Sequence, residues 1–211
     1  MIDYLIRLIY SACMSKKLKG LENEKKCLIL SVATRLFAKD GFKAVSIREI
    51  SKASECNVAS ISYHFGGKEK LYAQCLKNTG IFKAKLSCCL KHPSNASELH
   101  EYLNLFCLSF CKLISEKPEV IRLTLQELNT NLGEESFSET FLVCLSEELS
   151  GFFQSGIEKN LLPSEFRPEL SARFLIGGLI FHKLYFNSDE YFPDKEIVSH
   201  LIRNSTWSMY A

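Results

Sequence analysis

Apolar positions recur along nearly the whole chain with helical spacing. Between Lys25 and Lys39, Ile29, Ala33, Leu36 and Phe37 fall on one face at i, i+4, i+7 and i+8, and Asp40-Gly41 stops the run. Ser46-Ile47-Arg48-Glu49 reads as a capping box: the hydroxyl takes one orphan N–H and the carboxylate reaches back for another, starting a short helix to about Ala53. Its apolar side (Ile47, Ile50, Ala53) is expected to pack on helix 25–39. Asn57 caps a third short helix, Val58–Phe65, closed by Gly66-Gly67, and Lys68 opens a long helix to about Leu90. Longer helices are predicted over Ser97–Glu116, Pro118–Asn131, Phe137–Lys159, Glu169–Tyr185 and Lys195–Met209. Sustained period-two alternation is absent, as are Asn-Gly and Asp-Gly hairpin turns. The fold class is all-α, with about nine helices.

Of 211 residues, 46% are hydrophobic, which is enough for a sizeable core. No run approaches the roughly 18–20 apolar residues of a membrane-spanning helix, so no membrane partner is expected. Residues 1–20 are expected to be an N-terminal extension, 21–70 a small helical domain and 71–211 a larger one. Met1–Met14 is apolar but carries Asp3 and Arg7 and lacks a small-residue cleavage site, so it makes a poor signal peptide; Met14 is an alternative start that would make residues 1–13 dispensable. The nine cysteines are odd in number, sit inside helical patterns and include no Cys-x-x-Cys. They read as small buried packing residues, reduced in a cytoplasm, with neither a metal nor a cofactor expected.

Charge changes this picture. Residues 15–70 carry twelve Lys/Arg against six Asp/Glu, whereas residues 71–211 carry thirteen against seventeen, although the whole chain has a net charge of only +2. A basic module on an acidic body fits contact with a polyanion through the first part, or equally a Lys-rich solvated surface. The module's own pattern favours the first. Two short helices are joined by Ser54-Glu55-Cys56-Asn57, and the second turns Cys56, Ile61 and Phe65 inward while Val58, Ala59, Ser62 and Tyr63 face out without a carboxylate. A short helix with a small-residue first half enters the roughly 12 Å major groove without steric conflict. Lys68, the Tyr63 hydroxyl and the N–H groups opening the flanking helices then suit phosphates. This is helix-turn-helix physics.

The residues Ala33-x-x-Leu36-Phe37-Ala38-x-x-Gly41-Phe42, Val45-Ser46-Ile47-Arg48-Glu49-Ile50 and Asn57-Val58-Ala59-x-Ile61-x-Tyr63-His64-Phe65-Gly66-x-Lys68-Glu69-x-Leu71 resemble the DNA-binding domain of TetR family transcriptional regulators. The last segment, with Arg122 and Glu127 further on, resembles the CecR-like branch. The resemblance implies a homodimer that binds a palindromic operator in double-stranded DNA and is released by a small-molecule effector held in the C-terminal domain. Carried over by position, Ser46, Tyr63, His64 and Lys68 contact phosphates, and Asn57, Val58, Ala59, Ser60 and Ser62 lie near base edges or the groove floor. Two positions depart from the family pattern. Glu55 stands where Gly is usual, which implies a non-glycine residue at positive φ costing about 1 kcal/mol. Ser62 stands where an aromatic is common.

In the second domain, Tyr102, Phe106, Phe110, Arg122, Gln126 and Asn129 are candidates for an effector pocket, since such pockets are mostly apolar with a few polar anchors. Core packing of the same aromatics is the competing reading. Arg173–Tyr185 is apolar almost all round, with Gly177-Gly178 in its middle. With the last helix it offers Phe174, Gly177, Gly178, Phe181, Leu201 and Trp207 as a dimer interface. Catalytic signatures (Gly-x-Ser-x-Gly, paired carboxylates, a P-loop, a dinucleotide-binding glycine pattern) are absent, so an enzyme is not expected. The alternative to an effector is a docking surface for a protein partner. Lys16, Lys17 and Lys19 are candidates for a basic arm in the minor groove.

Overall fold

Eight α-helices, with no strand among them, are found among the residues that the computed structural model describes, which are 21–130, 141–186, 196, 199 and 200. They are α1 (Leu21–Ala44), α2 (Ile47–Ala53), α3 (Val58–Phe65), α4 (Lys68–Ser87), α5 (Ala96–Glu116), α6 (Pro118–Thr130), α7 (Phe141–Glu158) and α8 (Pro168–Phe181). A π-helical turn, His182–Phe186, follows α8. The expected N-terminal extension, the basic arm and most of the last helix, including Leu201 and Trp207, lie outside the described residues.

Local chemistry sets the boundaries. The helical path of α1 breaks at Gly41, whose φ of 82° and ψ of 159° lie outside the helical region, at the stop expected from Asp40-Gly41. Ser46 and Glu49 form the complete capping box of α2. The Asn57 side chain accepts from the Ser60 N–H to cap α3, and Gly66 at φ 75° ends it in the left-handed conformation that a side chain disfavours. Helix α4 stops at Ser87 rather than Leu90, because the N–H groups of Cys89 and Leu90 turn back to Leu86 and Ser87.

The described chain divides into two compact units. The first takes residues 21–81 and adds 119–130, so it extends past residue 70 into α4 and recruits α6. Its core gathers Ile29, Ala33 and Phe37 of α1, Val45, Ile50 of α2, Ile61 and Phe65 of α3, Leu71, Tyr72 and Cys75 of α4, and Leu123 of α6. Ala53, expected in this core, is exposed. The chain turns at that point, and the next residue, Ser54, is buried instead, its hydroxyl donating to the Ile50 carbonyl at 2.7 Å. The second unit comprises 82–118 and 141–186. There Leu103, Phe106 and Phe110 of α5, Leu145, Leu149 and Phe153 of α7, and Leu175 and Leu179 of α8 are fully buried.

The turn between α2 and α3 carries a conformational cost. Glu55 has φ 53°, the left-handed region, in a connection held by Cys56 N–H to Ser51 carbonyl (3.1 Å) and by the Ser51 hydroxyl donating to the Cys56 carbonyl. A non-glycine residue is disfavoured there by about 1 kcal/mol, partly offset by the entropy glycine adds to the unfolded chain. Glu55→Gly is therefore expected to raise stability by up to about 1 kcal/mol in chemical denaturation, whereas Glu55→Gln, which keeps the side chain, leaves it unchanged.

Candidate nucleic-acid interface

The two short helices owe their positions to buried anchors. Ile50 of α2 and Ile61 of α3 are fully buried, and Phe65 closes the end of α3. With Ile61 and Phe65 inward, α3 turns its opposite face to solvent: Tyr63 is 81% exposed, Val58 42%, and Ala59 and Ser62 are exposed, while Ser60 and His64 are partly covered. The first turn of α3 holds no acidic residue. Of the residues expected near base edges, Asn57, Val58, Ala59 and Ser62 are exposed and Ser60 is partly covered. Tyr63 meets the His64 ring edge-on at 5.1 Å.

At the flank, Lys68 lays its ammonium over the Phe42 ring at 4.4 Å from the centroid, with Nζ 3.5 Å from the Lys43 carbonyl oxygen. The cation is thus held at the end of α1 by π attraction and the Lys43 carbonyl. Ser46 is already engaged: its backbone N–H donates to Glu49 Oε2 at 2.7 Å and its hydroxyl to the same oxygen at 2.8 Å, while accepting the Glu49 N–H at 3.2 Å. A phosphate contact from Ser46 therefore requires redirecting a donor away from Glu49. Those hydrogen bonds, with a smaller contribution from Lys68, hold the Glu49 carboxyl below its ordinary pKa. The cap is present above the carboxylate range and is lost as pH falls through it.

The residues expected to form an effector pocket are distributed over both units. Phe106 and Phe110 of α5 stack at 6.1 Å with no exposed surface, so in this structure they are core. Tyr102 is half-buried beneath Lys91. Gln126 of α6 belongs to the first unit, its Nε2 donating to the Ala38 carbonyl at 3.0 Å, and Arg122 faces solvent. The Asn129 side chain lies outside the description. The second unit has a groove of about 760 Å³ elsewhere, lined by Ser150, Gln154, Arg167, Glu169, Leu170 and Arg173.

On α8 an apolar strip faces solvent: Leu170, Phe174 (69% exposed), Phe181 and, on the π turn, Tyr185 (76%), with Phe181 and Tyr185 stacked at 4.8 Å. Gly177 lies on this strip and Gly178 is half-covered beside it. A Cβ at Gly177, or at Gly151 on α7, would meet no atom within 4 Å. Packing among the described residues therefore does not require either glycine, although each costs a helix roughly 1 kcal/mol against alanine.

The eight described cysteines are free thiols. Burial pushes Cys75 up to about 11, and Cys89 and Cys107 are also raised, which suppresses the reactive thiolate. Among the described residues no group of three or more His, Cys, Asp or Glu is placed to hold a metal, and no helix is long and apolar enough to cross a membrane. Sequence reasoning missed the buried pairing of Tyr72 with Glu127. The signal was available: Val120, Leu123, Thr124 and Glu127 recur at i, i+3, i+4 and i+7, which puts the carboxylate on the buried stripe of α6.

Comparison with known proteins agrees with this geometry. Residues 29–75 match the model of bacterial regulatory proteins, tetR family. The HTH-type transcriptional repressor NicS of Pseudomonas putida is 28% identical over 170 residues, covering 77% of this chain and 76% of NicS. The structure of HlyIIR, a hemolysin II transcriptional regulator, is similar with a TM-score of 0.66 at 25% identity, over 88% of this chain and 98% of that one. The same fold is seen in AibR, solved with isovaleryl coenzyme A and operator DNA, with a TM-score of 0.70 at 20% identity, over 85% and 97% of the two chains. A matching helix-turn-helix model, a regulator alignable along most of its length and a shared all-helical fold converge: the chain belongs to the tetR family of bacterial regulatory proteins and is a DNA-binding transcriptional regulator.

Proposed function

We propose that this regulator is a homodimeric repressor that reads a palindromic operator through α3 and is released from it by a small-molecule effector, acting in the cytoplasm. The observation that carries the DNA-reading role is the accessible edge of α3, where Tyr63 stands 81% exposed beside small and hydroxylated residues and no carboxylate. An aromatic so exposed suits a sugar-phosphate backbone, and Val58, Ala59 and Ser62 are small enough to reach the groove floor. Repression follows NicS, named a repressor. Release by an effector follows AibR, whose structure holds both an acyl-coenzyme A and operator DNA.

Dimerisation is supported by the strip of Leu170, Phe174, Phe181 and Tyr185, since a soluble monomer seldom leaves a contiguous aromatic face in water. The bare glycine positions 151 and 177 allow close approach of a second backbone. A second reading keeps the DNA contact but replaces the effector by a protein partner. The full burial of Phe106 and Phe110 favours it, because those rings leave no space around them for a ligand.

The test is selection of duplexes from tiled upstream DNA and a random library, followed by affinity over a salt series. The wild-type protein is expected to recover one inverted repeat. Tyr63→Ala and Lys68→Ala each weaken that complex by about tenfold or more, and Lys68→Ala lowers the salt slope by about one. Recovery of no preferred sequence contradicts the reading. In sedimentation velocity, Phe174→Glu is expected to shift the wild-type dimer to monomer with helix content unchanged; a wild-type monomer, or a variant that stays dimeric, removes the α8 interface.

A further inference from the structure

The outward row of α8 has a symmetry of its own. Leu170, Phe174, Phe181 and, on the π turn, Tyr185 are exposed, while Leu175, Ile176 and Leu179 between them are buried. Phe174 and Phe181 lie equally far on either side of the Gly177–Gly178 peptide, and so do Leu170 and Tyr185. A helix that pairs antiparallel with a copy of itself, about a two-fold axis at that peptide, sets Phe174 against Phe181 and Leu170 against Tyr185, each twice. No apolar member of the row then faces a polar one. The centre is also where two backbones come nearest. Gly177 is exposed and a Cβ there would meet no atom within 4 Å, so the space over it is open to a second helix.

The two ends of the row differ in shape. At the Leu170 end lies the groove of about 760 Å³, lined by Ser150, Gly151 and Gln154 of α7 and by Arg167, Leu170 and Arg173. The other end carries a projection: Phe181 and Tyr185 stack at 4.8 Å and are 55% and 76% exposed. Antiparallel pairing brings the projection of each copy to the groove of the other. The match is chemical as well as spatial. Cavities of this size hold drug-sized ligands, so two aromatic rings can enter. Neither guanidinium of the groove has a carboxylate within ion-pair distance among the described residues, and a guanidinium so placed pairs well with an aromatic face. Gly151 keeps the α7 wall open, since it too is exposed with no atom within 4 Å of a Cβ.

We propose that the groove is a socket for a second copy of this chain: with the axis at Gly177–Gly178, the partner's Phe181 and the partner's Tyr185 seat between α7 and α8 beside Arg167 and Arg173, and the reciprocal pair seats in the partner. This rests on the dimer reading above and gives it a register. The symmetric spacing selects a copy over an unrelated protein, because a copy carries an aromatic pair at the matching distance from its own bare glycine. The phenol hydroxyl stays at the polar rim, where Gln154 and Glu169 line the groove. Filled in this way, the groove is part of the interface and is not an effector site. Each seating occurs twice, so one substitution in the chain acts twice on the dimer.

Sedimentation velocity over a dilution series tests the socket and the register separately. Gly151→Leu fills the groove from α7, away from the α8 row. The position is open within the chain and leucine favours a helix over glycine, so the protomer keeps its helix content. The variant is expected to raise the dimer dissociation constant by at least about tenfold. For the register, Phe174→Glu and Phe181→Lys are each expected to be monomeric alone and to dimerise when mixed. Mixing converts one Phe174–Phe181 contact to Glu against Lys and leaves the other as two phenylalanines, which happens only if these positions oppose each other. A Gly151→Leu protein that dimerises like the wild type, or a mixture that stays monomeric, overturns the socket, while a monomeric Phe174→Glu leaves dimerisation through α8 standing. A monomeric wild-type protein removes the α8 interface and the socket together.

Discussion

A helix of seven residues and one of eight do not persist alone in water, because nucleation is unfavourable and too few turns follow to offset it. Everything that α2 and α3 present to a partner therefore depends on the apolar core that they share with α1, α4 and α6. Ile50 and Ile61 have no exposed surface, and Phe37, Leu71 and Tyr72 form the floor on which they rest. The same constraint explains why the first unit does not end at residue 70. A three-helix module has too little surface to cover Phe37 and Tyr72 on all sides, and Leu123 of α6 supplies part of the missing wall.

What the sequence made legible was whatever is decided by neighbours within four residues. Ser46 and Glu49 cap α2, Asn57 caps α3 and Gly66 ends it, as their types and spacing imply. Glu55 adopts positive φ because the turn demands that conformation of whichever residue occupies it. Pairings over long separations were not legible. Gln126 looks like a pocket anchor in the sequence, since an amide on a partly apolar helix wants a hydrogen-bond partner. Its partner is the Ala38 carbonyl, 88 residues away, and nothing local distinguishes a backbone oxygen from a ligand. Phe106 and Phe110 posed the same ambiguity, which packing resolves toward the core. Helix α8 looks apolar on every side, and only the fold separates inward Leu175, Ile176 and Leu179 from outward Phe174 and Phe181.

The electrostatics of the first unit are arranged rather than merely summed. Glu49 is a carboxylate beside the expected DNA surface, yet it accepts from both Ser46 donors and lies within the field of Lys68, so its charge is spent on the cap. Glu55 is exposed in the turn and has no such compensation in the described contacts. It combines backbone strain with a charge of the wrong sign for a phosphate. Its place between two well-capped helices shows how the fold accommodates that cost: the core and the caps over-determine the turn.

Binding linkage then limits what any signal can achieve. If the pose of α3 and the fastening of α6 are coupled, the coupling runs equally in both directions. Whatever loosens α6 weakens the grip on DNA, and DNA held by α3 must tighten α6 by the same factor. A signal that binds the second unit equally well in both states shifts nothing, however tightly it binds. A switch of that kind would require an interaction that distinguishes two arrangements of α4 and α6. The contact between those helices that water cannot readily replace is the buried one, Tyr72 of α4 on Glu127 of α6, set beside the apolar anchors Leu71 and Leu123.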